Sequence, residues 1–186
     1  QVYAQQQNFQ LALNTFKSVL DYNPSYTPTL NNLADLYYIS GQLDKAMTEY
    51  KKVVTINPQS KDALIAHINL GTIYDKKGMF KNAIDEYKNA LDLDKENWSA
   101  LYNLGLVYQH KGLLDDAMVK YQQALQLDSS RPHSYFSMGV VYRLKGRLKD
   151  AVYYLKTAVE LLPSNSMYVN ELGSAYMDDQ QLQEAI

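Results

Sequence analysis

Three histidines and two acidic pairs are the residues of this sequence whose types suit acid–base or metal chemistry. A metal site or an activated nucleophile needs several such groups around one atom. No segment has the spacing of a nucleophile elbow, a phosphate-binding loop or a zinc-binding His-Glu-x-x-His motif. We therefore predict that the chain is not an enzyme and has no catalytic residue, metal site or cofactor. The residues concerned are His67, His110, His133, Asp115–Asp116 and Asp178–Asp179.

Composition and charge narrow the classes of partner. Apolar residues make up 46% of the 186 residues, which is enough for a sizeable core. The formal net charge of -2 gives no basic footprint for nucleic acid or for an anionic membrane. No apolar run approaches the roughly 20 residues of a membrane-spanning helix. We expect no nucleic-acid partner and no membrane insertion. No signal peptide is visible, but the chain lacks a starting Met and a leader could have been removed, so the compartment stays unknown, with the cytoplasm favoured.

A repeat organises the whole chain. Six tyrosines follow one another at intervals of 34, 37, 34, 34 and 34 residues, and an alanine follows each of them by nine. Apolar residues around these positions have helical spacing. Such a period predicts pairs of helices that bury their apolar faces against neighbouring pairs. The tyrosines are Tyr3, Tyr37, Tyr74, Tyr108, Tyr142 and Tyr176.

All eight glycines lie in two columns of this repeat. Four precede a column tyrosine by three residues: Gly71, Gly105, Gly139 and Gly173. Within a helix glycine is unfavourable, so we expect another backbone to pass close to it, with the alanine column as the facing surface. The other four follow a tyrosine by four residues and are expected to end the helix in a left-handed cap: Gly41, Gly78, Gly112 and Gly146.

These columns predict two helices in each repeat. The first helices are expected near 27–40, 60–77, 98–111, 132–145 and 166–179. The second helices are expected near 8–22, 42–56, 79–93, 113–127 and 147–161, and from 181 onward. Gln7 and Gln180 stand where the other repeats have the terminating glycine. Three extra residues between Pro58 and Gly71 are expected to lengthen the start of one first helix, with Ser60 as its cap.

The segment from Trp98 to Tyr108, followed by Gly112, Ala117, Tyr121 and Ala124, resembles the tetratricopeptide repeat. The resemblance extends over essentially the whole chain. It implies an all-α, right-handed superhelical solenoid of antiparallel helix pairs, forming one domain over residues 1–186. We expect five to six repeats, and the array looks like an excerpt truncated at both ends. Their bounds are about 1–26 (partial), 27–63, 64–97, 98–131, 132–165 and 166–186 (partial).

The resemblance also implies where a partner binds. First helices of this family line a concave groove that takes a peptide or a helix, and asparagines there can bond to a peptide backbone. Around Leu106 and Val140 the implied groove is apolar. Whether that strip contacts a partner, or is buried between neighbouring first helices, stays open. The groove residues carried over are Asn32, Asp35, Ile68, Asn69, Thr72, Tyr102, Asn103, Leu106, Phe136, Val140 and Arg143.

The function that follows is a protein–protein interaction scaffold or adaptor. One alternative is a targeting or regulatory arm of a larger enzyme whose catalytic domain lies outside these residues. A more remote alternative is an RNA-binding helical repeat, although the mixed groove and the net charge argue against it. Because the outermost repeats have no polar capping helix, self-association through uncapped ends is a further possibility.

Overall fold

The computed structural model describes residues 2–184, with the side chains of residues 8–180, and all regular secondary structure in that range is α-helix. This confirms the all-α prediction. The chain divides into two compact units, which are described separately. The N-terminal unit, Gln1–Lys95, contains α1 (Val2–Tyr22), α2 (Thr27–Ile39), α3 (Leu43–Ile56), α4 (Lys61–Lys76) and α5 (Phe80–Leu93). The C-terminal unit, Glu96–Ile186, contains α6 (Trp98–His110), α7 (Leu114–Leu127), α8 (Pro132–Leu144), α9 (Leu148–Leu161) and α10 (Ser166–Glu184).

The helices pack as the repeat predicts. In the N-terminal unit α2 pairs with α3 and α4 pairs with α5, while α3 also lies against α4 and α1 against α2. In the C-terminal unit α6 pairs with α7 and α8 with α9, α7 also lies against α8, and α10 packs on α9. Neighbouring first helices touch as well, α2 with α4, α6 with α8, and α8 with α10. Each unit is therefore a short stack of helix pairs with the first helices side by side.

The glycine that follows each first helix forms the predicted left-handed cap. Gly112 has φ 74°, and Gly41, Gly78 and Gly146 have φ between 70° and 77°. The next residue then donates its backbone N–H to the carbonyl of the column tyrosine, as Leu113 does to Tyr108 at 2.9 Å. This is the Schellman arrangement, which satisfies carbonyls left open at the helix end. The turn is so short that Leu113 is also the N-cap residue of α7.

The columns of the second helices form the core. Ala46, Ala83, Ala117 and Ala151 have no exposed surface, and the large residues four positions later are at most 2% exposed. Those large residues are Tyr50, Tyr87, Tyr121 and Leu155.

Three of the helical glycines, Gly71, Gly105 and Gly139, make room mainly for a side chain, which corrects the prediction of a close backbone, although the backbone nitrogen of Leu155 would also lie 3.1 Å from a methyl group added at Gly139. A methyl group added at Gly105 would lie 2.6 Å from Cε1 of Tyr121, and one added at Gly71 would lie 2.7 Å from Cε1 of Tyr87. At Gly139 the nearest atom is Cγ of Leu155, at 2.6 Å. In each case the facing group is the large residue 16 positions later and not the alanine column. The repeated glycine indicated that other atoms come close to this position. Which atoms they are depends on the orientation of the facing side chain, which the spacing of the repeat does not determine.

The two outermost repeats differ from the prediction. A separate second helix was expected from 181 onward, but α10 continues without a break to Glu184. Likewise, α1 runs from Val2 through Gln7 to Tyr22, although its start was expected near residue 8. Glutamine, unlike glycine, has a side chain that disfavours the left-handed conformation. Where glutamine replaces the glycine, the helix therefore continues through the position of the turn.

The three extra residues before Gly71 lengthen α4 as predicted. This helix has 16 residues, whereas α2, α6 and α8 have 13 each. Ser60 caps it, because its hydroxyl oxygen accepts a hydrogen bond from the backbone N–H of Ala63 at 3.0 Å.

Candidate functional site

All eleven predicted groove residues lie on first helices. Asn32 is exposed and the other ten are partly exposed. Helices α2 and α4 of the N-terminal unit carry five of them, Asn32, Asp35, Ile68, Asn69 and Thr72. Helices α6 and α8 of the C-terminal unit carry the other six, Tyr102, Asn103, Leu106, Phe136, Val140 and Arg143.

A hydrogen-bonded cluster joins α2, α3 and α4 in the N-terminal unit. The hydroxyl of Tyr50 donates to Oδ1 of Asp35. The Nδ2 group of Asn69 donates to the same carboxylate oxygen at 3.2 Å and to the Tyr50 hydroxyl oxygen at 3.0 Å. A carboxylate only accepts hydrogen bonds, so the amide nitrogen of Asn69 must face it. Two predicted groove residues and one core tyrosine are thereby fixed in a single arrangement.

This cluster forms one wall of a cavity of about 260 Å³ in the N-terminal unit. Three of the predicted groove residues, Asp35, Asn69 and Thr72, line the cavity together with Tyr38, Ile39 and Tyr50. The latter three were not predicted as site residues. Tyr38 and Ile39 follow Asp35 by three and four positions on one helix, a spacing that places them on the same face and could have indicated them. Tyr50 belongs to the core column, and its hydroxyl bonds to Asp35 and Asn69 at the cavity wall.

Burial raises the pKa of two tyrosines beside this cavity. Desolvation, reinforced by the hydrogen bond to Asp35, raises the pKa of Tyr50 well above its ordinary value. Burial also raises the pKa of Tyr87, whose hydroxyl lies 3.1 Å from the hydroxyl of Thr72. Both side chains therefore act as neutral hydrogen-bonding groups at ordinary pH.

The polarity of the residue that follows the helical glycine column matches the core side chain packed beside it in the same repeat. Asp35 and Thr72, which occupy this position on α2 and α4, each bond to a core tyrosine hydroxyl. In the next repeat Leu106 offers no polar partner, and the Tyr121 hydroxyl donates to Oε1 of Gln109 at 2.8 Å. The following repeat has Val140 at this position, and its core residue is Leu155, which has no hydroxyl to bond. The apolar character of this column in the C-terminal unit thus matches its surroundings within each repeat.

Two aromatic groove residues of the C-terminal unit contact the neighbouring first helix. The hydroxyl of Tyr102 lies 3.1 Å from Oγ of Ser137 on α8, and its ring stacks on Trp98 with a centroid distance of 4.8 Å. The ring of Phe136 stacks on Tyr168 of α10 at 4.5 Å. Burial raises the pKa of Tyr102. Such contacts are expected if the apolar strip is buried between neighbouring first helices, yet both side chains keep part of their surface exposed.

The remaining groove residues of this unit have different environments. Leu106 packs against the core cluster that contains Tyr121 and Met138, whereas Val140 and Asn103 are partly exposed. Arg143 donates to Glu171 at 2.8 Å and to Asp178 at 2.9 Å, both on α10. The hydrogen bond to Asp178 is the largest cause of the raised pKa of Arg143.

The residues first considered for chemistry make structural contacts. His67 is buried, and its Nδ1 lies 2.6 Å from Oε2 of Glu86 on α5. The ring of His133 makes edge contacts with Tyr102 and Tyr168. Asp115 forms an ion pair with Lys145. Among the side chains of residues 8–180 no group of three metal-ligating residues comes together, and none of the described helices is long and apolar enough to cross a membrane.

Family models match the chain over most of its length. Models described as tetratricopeptide repeat match residues 3–68 and 99–164, and one described as TPR repeat matches residues 71–112.

Among solved structures, MamA is 30% identical, with a TM-score of 0.75 over 85% of this chain and 91% of that one. TTC0263, a thermophilic TPR protein of Thermus thermophilus, is 25% identical, with a TM-score of 0.72 over 95% of this chain and 94% of that one.

Relatives of known sequence are matched only in part. The BBSome complex member BBS4 of Bos taurus is 32% identical over 69 residues, which are 37% of this chain and 13% of that protein. An uncharacterized protein of Haemophilus influenzae is 31% identical over 90 residues, 48% of this chain and 49% of that protein. The chain therefore spans about half the length of these relatives or less. The paired helices, the glycine caps, the family-model matches and the likeness to MamA together establish that this chain belongs to the tetratricopeptide repeat family.

Proposed function

We propose that this chain binds a peptide or a helix of another protein along the exposed faces of its first helices. In general terms the chain is a protein–protein interaction scaffold, as the family and its structural relatives indicate. The observation that carries the finer proposal is the cavity of the N-terminal unit. Three residues predicted independently as groove residues, Asp35, Asn69 and Thr72, line this one space. Concave sites with a few fixed polar groups and apolar walls are the usual ligand sites of proteins.

The partly exposed apolar residues of the C-terminal unit support the same proposal. Phe136 and Val140 lie on the same helix face, four residues apart, and neither is fully covered. A bound segment that buries one large apolar side chain gains about 1.5–3 kcal/mol. The intramolecular contacts of Phe136 hold the ring in one orientation, so less side-chain freedom is lost on binding.

The test compares two identical substitutions in the C-terminal unit. Peptides are first selected from a random dodecapeptide display library on the immobilised chain, and their dissociation constants are measured by fluorescence anisotropy. Val140→Asp should weaken binding about tenfold or more, because it places a charge on the proposed face. Val119→Asp is the matched control, since Val119 is 52% exposed on the second helix α7.

The outcomes of this comparison are distinct. Weaker binding by Val140→Asp alone, with a melting temperature close to that of the parent chain, supports the proposal. A loss of affinity with Val119→Asp but not with Val140→Asp would place the partner on the second helices. A large fall in the melting temperature of Val140→Asp would mean that Val140 belongs to the core.

Self-association is a second candidate, favoured by one face of α10. Apart from its own helix backbone, no atom of the residues that the structure describes lies within 4 Å of a methyl group added at Gly173, in contrast to Gly71, Gly105 and Gly139. Beside it, Tyr176 and Met177 are 49% and 59% exposed. The complementary column residue of α1 is Phe16, which is partly exposed. A second copy could therefore place its α1 on α10 as a second helix lies on a first.

Light scattering over a range of concentrations tests this pairing. The mass of the parent chain should rise with concentration, and Met177→Glu should keep it at the mass of one chain. A parent chain that stays monomeric at every concentration would rule the pairing out.

A further inference from the structure

The cavity between α2, α3 and α4 has an unusual distribution of hydrogen-bond donors and acceptors. Both N–H bonds of the Asn69 amide are directed to Asp35 and Tyr50, and the Tyr50 hydroxyl donates to Asp35. The Thr72 hydroxyl donates to the carbonyl of Ile68 at 3.0 Å. The donors of Asn69, Tyr50 and Thr72 are thus used within the protein, although all three residues line the cavity.

Acceptor groups remain available to a ligand. Oδ1 of Asp35 accepts two hydrogen bonds, but Oδ2 accepts none from the side chains that the structure describes. The amide oxygen of Asn69 has no partner among them either. The hydroxyl of Tyr38 can rotate and accept as well as donate. The cavity therefore presents two or three acceptors, one of which carries a formal negative charge.

The aromatic wall of the cavity already has a cation of its own. Tyr38 lines the cavity, and the ammonium group of Lys76 lies 4.5 Å from the centroid of its ring. A cation over an aromatic face is attracted by the ring quadrupole. The ring is therefore already paired with the chain's own ammonium group, and the free acceptors of Asp35 and Asn69 carry the preference for a cation.

We propose that this cavity binds the ammonium group of a lysine side chain supplied by the bound segment, an inference that rests on the proposed function. An ammonium group has three donors and no acceptor, which matches the free groups of Asp35, Asn69 and Tyr38. A hydrogen bond between charged groups is roughly twice as strong as a neutral one. Arginine fits less well, because its fork pairs best with both oxygens of a carboxylate, and Oδ1 of Asp35 is already occupied.

The probe is Nα-acetyl-lysine N-methylamide, titrated into the isotope-labelled full chain and followed by amide chemical shifts. Saturable shifts are expected in α2 and α4 near Asp35 and Asn69. The norleucine and Nε-acetyl-lysine analogues, which lack the charge, should bind about tenfold more weakly or not at all. The arginine analogue is the competing cation and should also bind more weakly than lysine.

Two carboxylate variants show whether the site is the cavity. Asp35→Asn keeps the shape and the acceptor for Tyr50, but it removes the charge and should abolish the saturable shifts. Asp92→Asn makes the same change at an exposed position on α5 and should leave them unchanged. Absence of saturable lysine shifts, or equal binding of the norleucine analogue, would overturn the proposal. So would equal binding by the Asp35→Asn variant.

This titration separates the lysine site from the proposed function. If no library peptide binds but the lysine analogue does, the segment-binding function fails while the lysine site stands. If peptides bind along the first helices but replacing their lysines with norleucine changes affinity less than twofold, the lysine site fails and the broader function stands.

Discussion

At the scale of single residues, the core tyrosines Tyr50 and Tyr87 serve both the core and the candidate site. The ring of Tyr87 fills the space left by Gly71, and its hydroxyl reaches the hydroxyl of Thr72 on the exposed face. Tyr50 connects the core to Asp35 in the same way. Substitutions in the core column are therefore expected to affect both stability and the candidate site.

The close contact at Gly105 is expected to make even a small side chain costly. Gly105→Ala gains about 1 kcal/mol of helix propensity, but the added methyl group meets the Tyr121 ring at 2.6 Å. That ring is fully buried and its hydroxyl is bonded to Gln109, so it has little room to move. Overpacking of this kind costs about 1–3 kcal/mol, and net destabilisation is expected in urea unfolding.

Gly173→Ala is the matched control for this substitution. Apart from its own helix backbone, no described atom lies within 4 Å of the added methyl group, so at a concentration at which the chain is monomeric the helix-propensity gain of up to about 1 kcal/mol should appear as increased stability. Equal effects of the two substitutions would contradict the role assigned to Tyr121.

Alkaline pH is expected to unfold the chain through its buried tyrosines. Unfolded tyrosines lose their protons near pH 10, whereas burial raises the pKa of Tyr50 and Tyr87 in the folded chain. The contribution of these two tyrosines to the free energy of unfolding is therefore complete below about pH 10. It declines as the pH rises toward their higher pKa values in the folded chain. Urea unfolding at several alkaline pH values, with tyrosinate absorbance at 295 nm, measures both effects.

A double variant serves as the control for this titration. Tyr50→Phe with Tyr87→Phe removes both groups and should flatten the decline of stability with pH. A decline that is as steep in the double variant as in the parent chain would assign it to other residues.

Sequence alone predicted the residue columns but not all of their contacts. The columns of Gly105 and Tyr121 were visible, yet the close approach at Gly105 was predicted to come from a backbone in the alanine column and not from the Tyr121 ring. The Asp35–Tyr50–Asn69 cluster was not predicted at all, because it joins residues 15 to 34 positions apart through particular side-chain orientations. Helical periodicity assigns a residue to a face and leaves these orientations undetermined.

At the scale of helices, the boundaries were predictable wherever a strong terminating residue was present. The helix expected near 98–111 is observed at Trp98–His110, with Gly112 in the left-handed cap. The prediction failed at Gln7 and Gln180, where it followed the period of the repeat instead of the conformational preference of the residue. In this chain the glycine, and not the spacing alone, marks where a first helix ends.

Substitution of Gly112 tests this role of the cap. Gly112→Ala should destabilise the chain by about 1–2 kcal/mol, because φ 74° is unfavourable for a residue with a side chain. No atom lies within 4 Å of an added methyl group, so the cost is conformational and not steric. Gly112→Asn should cost less, since asparagine tolerates this conformation better. Equal costs in urea unfolding would contradict the explanation.

At the scale of the whole molecule, family and general function followed from the repeat, whereas the details of the site did not. Six repeats in register were enough to predict a tetratricopeptide scaffold, which the family models and MamA confirm at the level of family and general function. The eleven groove residues were carried over by position and remain a proposal. What the sequence could not show is the cavity beside Asp35, since its walls come from three helices.

Hydrogen exchange of the chain with and without a selected peptide tests the central claim most directly. If the first helices bind the segment, added protection should fall on α2, α4, α6 and α8, because bound backbone and side chains there open less often. The second helices α3, α5, α7 and α9 should change little. Added protection confined to those second helices would contradict the proposed binding face.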